Sequence, residues 1–148
     1  MVWKPRVTVA VVAERNGHLL MVEEHTSEGM RFNQPAGHLE DGEGLVAAAV
    51  RECLEETAWH FQPEALVGIY RWRKPASQET YLRATFCGRC LERDAGRRLD
   101  PEIAAVHWLS PEQIRARAAE LRSPLVLTST DDYLAGRRFP LDILVELE

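Results

Sequence analysis

The sequence predicts an α+β domain of the layered α/β kind, on three observations. Short Val-rich stretches alternate in hydropathy as strands do, and two of them flank Asn16-Gly17, a strong two-residue hairpin signal. One acidic stretch, residues 44–57, carries apolar positions at helical spacing. Ser110-Pro111 and Ser123-Pro124 each offer a serine N-cap followed by a proline at the first helical position. Strands and helices in mixed order imply sheet layered against helices.

Taken along the chain, Arg6–Ala13 reads as a strand and His18–Glu24 as its hairpin partner. His25–Asn33 reads as a loop, with Ser27, Gly29 and Asn33 as its turn residues. Gln34-Pro35-Ala36-Gly37 leads through an acidic loop into a helix from about Gly44 to Thr57. Leu66–Arg73 and Thr80–Arg89 read as strands joined by a turn at Pro75-Ala76-Ser77. Leu91–Pro101 reads as a charged loop and Ala104–Leu109 as a short strand. Two helices follow, started by Ser110 and Ser123, the second closed by Gly136.

At 148 residues the chain suits one domain, expected to span 1–148, and is long enough to bury a sizeable core. Hydrophobic residues make up 45% and charged residues 28%, which fits a globular protein. No apolar run approaches the roughly 20 residues that span a bilayer, and the N-terminus lacks a secretory pattern. A cytoplasmic protein with no membrane partner is expected. The net charge of −5 argues against a nucleic-acid polymer as partner, because that binding needs a basic surface. It leaves room for a small phosphorylated molecule, since a bound cation reverses the local sign. Cys87 and Cys90 form a lone CxxC without further zinc ligands, and three apart on a strand they would face opposite sides.

The most informative stretch is GHLEDGEGLVAAAVRECLEETAW, residues 37–59. On a helix, Glu52, Glu55 and Glu56 project from one side, and Val46, Val50, Cys53, Leu54 and Thr57 form the opposite, core-facing stripe. Like charges at that spacing cost a few tenths of a kcal/mol per pair. A hard divalent cation that prefers oxygen ligands would neutralise them. Arg51, alone among carboxylates, suits orienting one of them.

These residues match the Nudix hydrolase signature. Gly37, Glu43, Arg51, Glu52, Glu55 and Glu56 stand in register at its fixed positions. Three positions depart from it. Cys53 replaces an aliphatic residue, Ala58 the glycine after the paired glutamates, and Trp59 the final aliphatic residue. Either Ala58 turns left-handed, at a cost of about 1 kcal/mol relative to Gly, or the helix runs on. The resemblance implies an α/β/α sandwich with a mixed central sheet and a loop-helix-loop signature. Over nearly the whole chain, through KPRVTVAVV, FNQPAGHLE, LRSPLV and RRFPLD, it is most similar to the NudJ-type phosphatases of that family.

That resemblance implies Mg²⁺-dependent hydrolysis of phosphoanhydride bonds, with Mn²⁺ a possible substitute. The implied substrates are nucleoside di- and triphosphates or the diphosphate of the thiamine pyrimidine precursor, with orthophosphate released. Glu52, Glu55 and Glu56 are the expected metal ligands, with the Gly37 carbonyl and Glu102, the latter chosen over Asp100. Glu52, Glu55 and Arg51 are the expected catalytic group, Arg51 orienting a glutamate and Glu52 a candidate base. Glu43 is expected to brace the loop. Arg6, Arg71, Trp72, Asn33 and His38 are candidates for substrate contact, and Trp3, Tyr70 and Phe32 for stacking. A monomer or a homodimer both fit. The competing functions are pyrophosphate release from nucleotides, a non-catalytic ligand-binding domain, and isoprenoid diphosphate isomerisation on the same metal site.

Overall fold

The computed structural model describes residues 1–147. β1 (Arg6–Arg15) and β2 (His18–Thr26) form the hairpin. Asn16 and Gly17 at its tip have φ of 53° and 75°, the pair of positive values that a type I′ turn requires. β1 is the hub of the sheet. It pairs antiparallel with the short β4 (Ala36–His38) and in parallel with β6 (Thr80–Arg93), which pairs antiparallel with β5 (Trp59–Arg73). β2 carries β3 (Gly29–Asn33) on one edge and β7 (Ile103–Leu109) on the other. The described residues thus hold a seven-stranded mixed sheet.

Helices cover both faces. α1 (Leu45–Thr57) packs Ala48, Ala49 and Cys53 on Val9, Val11, Ala13 and Phe86. α2 (Pro111–Ala116) and α3 (Pro124–Leu134) bring Ile114 and Val126 onto Val12, Met21 and Cys87 on the other side. Alternation along β1 sends Val9, Val11 and Ala13 to one layer and Val12 to the other. The same rule separates Cys87 from Cys90, which packs on the α1 side, and all three cysteines are free thiols. No helix of the described residues is long and apolar enough to cross a membrane.

The helix ends follow local chemistry. Ser110 accepts from the Gln113 amide while the Gln113 side chain accepts from the Ser110 amide, a reciprocal capping box. Ser123 caps α3 through the Leu125 amide. Gly136, at φ 89°, ends α3 with Arg137 N donating to Asp132 O and Gly136 N to Tyr133 O, a Schellman motif. Of the two alternatives for Ala58, the structure takes the left-handed one, with φ 66° and its amide donating to Leu54 O.

Four features depart from the sequence reading. Part of the expected loop His25–Asn33 is β3, which adds five residues to the edge of β2. β5 begins at Trp59 rather than Leu66, with register shifts around Pro63 and Gly68 where the ladder is interrupted. β6 continues to Arg93, into the stretch read as a charged loop. The fourth concerns α1. Its buried positions are Ala48, Ala49, Glu52, Cys53, Glu56 and Thr57, whereas Val46, Val50 and Leu54 are only half-buried. Two of the signature glutamates therefore lie on the buried stripe and not opposite it. The sheet approaches α1 closely enough that alanines fill the contact, and Glu52 and Glu56 continue their row.

Candidate active site

α1, β4 and the loop before β7 converge on a cleft of about 570 Å³. Glu52, Glu56, Gly37, Asp100 and Glu102 line one part of it. Carboxylate oxygens of Glu52, Glu55 and Asp100 lie within 4.8 Å of one another, and so do those of Glu56, Asp100 and Glu102. Asp100 belongs to both groups. Its amide donates to Glu55 O at 3.0 Å, which ties the loop to the helix. The sequence reading favoured Glu102 over Asp100, but the structure gathers both.

Burial charges these groups unevenly. Glu56 is 4% exposed, and burial raises its pKa to about 9 even though its Oε1 accepts from Ala36 N at 3.0 Å. Burial likewise raises Glu52 to about 7, against the lowering effect of Arg51. Asp100 is raised by burial and then by Glu102 and Glu55. Without a cation the cluster holds protons near neutral pH.

Arg51 organises the entry to the helix. Nε and Nη2 grip Glu43 as a bidentate pair at 3.0 and 2.7 Å, and Nη2 also donates to His38 O. Nη1 donates to Glu52 Oε1 at 2.8 Å and Glu55 Oε1 at 2.9 Å. Glu43 in turn accepts from Glu40 N at 2.9 Å, closing the acidic loop, and its pKa is lowered, chiefly by Arg51.

The donor set suits a hard cation. It is all carboxylate, doubly clustered, and partly dehydrated. Gly37 adds a second sign of fit: a β-carbon there would stand 2.1 Å from Cδ of Glu52, so only glycine lets the carboxylate lie against the β4 backbone. Glu52, Glu55, Glu56, Asp100 and Glu102 are the residues that could hold a metal.

The cleft continues onto the α3 side of the sheet. Asn33, His38 and Trp72 line it, the Trp72 ring lying 5.8 Å from Tyr81 at an interplanar angle of 32°. Two other sequence candidates do not line it. Arg6 is exposed and paired with Glu79, and Arg71 is exposed on the opposite side of β5 from Trp72. Trp3 is 69% exposed, Tyr70 donates its hydroxyl to Asp132, and Phe32 packs on the α2–α3 core. Lining residues that the sequence did not single out are Glu24, Tyr81, Arg83 and Arg122. Position 83 carried one signal, a cation alternating into a strand between Leu82 and Ala84.

Residues 3–128 match the NUDIX domain family. The chain is 39% identical over 142 residues to "Phosphatase NudJ" of Escherichia coli strain K12, covering 96% of this chain and 92% of that protein. The same identity and coverage hold for "Phosphatase NudJ" of Shigella sonnei. Among solved structures, a NUDIX hydrolase from Nitrosomonas europaea superposes with a TM-score of 0.95 at 48% identity, over 97% of this chain and 98% of that one. A MutT NUDIX hydrolase from Burkholderia pseudomallei shares the fold, with a TM-score of 0.69 at 19% identity over 88% of this chain and 96% of that one.

Proposed function

This chain belongs to the Nudix hydrolase family, and from that premise we propose that it is a Mg²⁺-dependent phosphatase of nucleoside di- and triphosphates or related diphosphates, releasing orthophosphate. The similarity to relatives named as NudJ phosphatases supports the phosphatase assignment. The observation that carries the reading is the double carboxylate cluster around Asp100, with Glu52 seated in the space that Gly37 leaves open.

Cleavage of a phosphoanhydride is mainly a matter of charge neutralisation and alignment. Glu52, Glu55, Glu56, Asp100 and Glu102, with the Gly37 carbonyl, would hold Mg²⁺, or Mn²⁺ in its place. The bound ion would supply charge for the phosphate oxygens and acidify a water. Arg51 fixes Glu52 and Glu55 in direction and leaves its remaining donors on Glu43 and His38 O, so its part is positioning. Glu52, its carboxylate held in direction by Arg51, is also the candidate general base. Glu43 braces the loop. Trp72 and Tyr81 offer a surface for the ring of the substrate, with Asn33 and His38 at its edge. The reading covers the chain as one domain, acting in the cytoplasm as a monomer or homodimer on small phosphorylated molecules.

Orthophosphate release at millimolar Mg²⁺ tests this, across nucleoside di- and triphosphates and thiamine-precursor diphosphate, with and without added inorganic pyrophosphatase. Phosphate without the helper enzyme is expected. Phosphate only with it would move the assignment to pyrophosphate release. No turnover in Mg²⁺ or Mn²⁺ would leave a ligand-binding domain.

A further inference from the structure

The metal chemistry above requires no arginine on the α3 face of the sheet, yet Arg83 stands there in the cleft wall, 4% exposed. Its Nη2 donates to Gln34 Oε1 at 2.8 Å and to Asn33 Oδ1 at 3.4 Å. Its Nε is buried and has no partner among the described residues. Glu24 and Glu56 act on it through space, without an ion pair among the described residues. Burial pushes its pKa down to about 10, against the opposite pull of Glu24, Glu56 and Tyr70. A buried cation with no ion-pair partner is costly unless a ligand supplies the opposite charge.

Arg83 is one of several anchors of its neighbour. Gln34 is anchored to α3 by its own Nε2, which donates to Ser129 Oγ at 2.9 Å and Val126 O at 3.3 Å, while the Ser129 hydroxyl donates to Leu125 O at 2.7 Å. Register places the arginine usefully. Trp72 pairs with Tyr81 and Tyr70 with Arg83, so Arg83 lies one rung beyond the aromatic pair on the same sheet face. It is also close enough to Glu56 to feel its charge. A molecule with its ring on Trp72 and Tyr81 and its phosphates at the carboxylates would pass over it.

We propose that Arg83 is a substrate-binding residue whose guanidinium takes a phosphate oxygen of the diphosphate. Nη2 is taken by Gln34 and Asn33 and Nε is sealed off, so Nη1, which has no partner among the described residues, is the group left to meet a ligand, and a phosphate there satisfies the charge as well as the donor. This rests on the phosphohydrolase reading and adds to it a phosphate contact made by the protein itself, apart from the metal.

Calorimetric titration with imidodiphosphate tests it, in Mg²⁺ and in EDTA, for the wild type, Arg83→Met and Arg83→Gln. Both variants should bind at least tenfold more weakly in either buffer, with circular dichroism showing that both fold. Adenosine or cytidine, which lack phosphate, should bind all three alike. Unchanged imidodiphosphate affinity would overturn the proposal, as would a loss confined to the nucleosides. Failure of both variants to fold would assign Arg83 to the fold and overturn it too. If Mg²⁺ made no difference to the wild type while the Arg83 effect stood, the metal-hydrolase reading would fall and this contact would not.

Discussion

Gly37 and Glu52 occupy what would otherwise be one space: a β-carbon on residue 37 would lie 2.1 Å from Cδ of Glu52 and 2.2 Å from its Oε1. The signature glycine is thus required by the approach of a carboxylate to a strand. Gly37→Ala should fold, since Glu52 can swing, but it should move the carboxylate by an ångström or so. A displacement of that size costs about 100-fold in rate. Steady-state kinetics beside circular dichroism checks this, and wild-type kcat/KM in the variant would show the close approach to be dispensable.

The metal-free protein should lose stability as pH rises. Glu56 and Glu52 have pKa values raised by burial, from an ordinary 4.5 to about 9 and about 7. A group whose folded pKa is raised keeps its proton more tightly in the folded state, so its contribution is fully present below the unfolded value and lost as pH climbs through the folded one. Tm in EDTA should therefore fall between about pH 5 and pH 9. Saturating Mg²⁺ should offset the fall, because it binds the ionised form. Glu56→Gln should flatten the EDTA profile and remove nearly all activity while the fold survives. A folded, fully active variant would exclude Glu56 from the site.

Features set by local chemistry were legible in the sequence, and features set by neighbours were not. Asn16-Gly17, Ser110, Ser123 and Gly136 act within four or five residues, and each sits where the sequence places it. β3 was hidden because five residues, GMRFN, carry little pattern, and the free edge of β2 decides that they pair. Trp59–Gln62 was hidden by Pro63, which reads as a strand end but stands here beside a register shift. The signature's spacing identified its glutamates and hydropathy found much of the core stripe, with Cys53 and Thr57 buried and Val46 and Val50 packed on the core, but it left Glu52 and Glu56 at the surface, since glutamate scores as exposed. Packing turns the buried face toward Ala48 and Ala49, which carries Glu52 and Glu56 in with them. Arg83 was missed for the same reason, a cation in a strand being exposed by default.

Arg51 should not be replaceable by lysine. Its planar fork serves Glu43 through Nε and Nη2 while Nη1 reaches Glu52 and Glu55. A lysine keeps the charge but has one nitrogen and cannot make the bidentate pair. Arg51→Lys should lose about 1–3 kcal/mol, the scale of a hydrogen bond to a charged group, and at least tenfold in kcat. Urea unfolding and initial rates measure the two. A loss of stability with unchanged kcat would confine Arg51 to bracing the loop.

The C-terminal segment should stabilise α1 electrostatically. Gly44, the N-cap, has no side chain to offer, and the first turn of the helix carries no acid. Leu141 and Leu144 pack against the α1 core and bring Glu146 alongside, so that a β-carbon on Gly44 would meet its Oε1 at 1.3 Å. The carboxylate therefore lies at the positive end of the helix dipole, where a negative charge contributes about 0.3–1 kcal/mol. Glu146→Gln keeps the shape and removes the charge. It should lower stability by about that amount at low salt and by less at about 1 M salt, where the Debye length falls to about 3 Å. Glu146→Lys should cost more than the glutamine variant, with the same salt dependence. Equal stability of all three proteins at low ionic strength would reduce the segment to packing through its leucines.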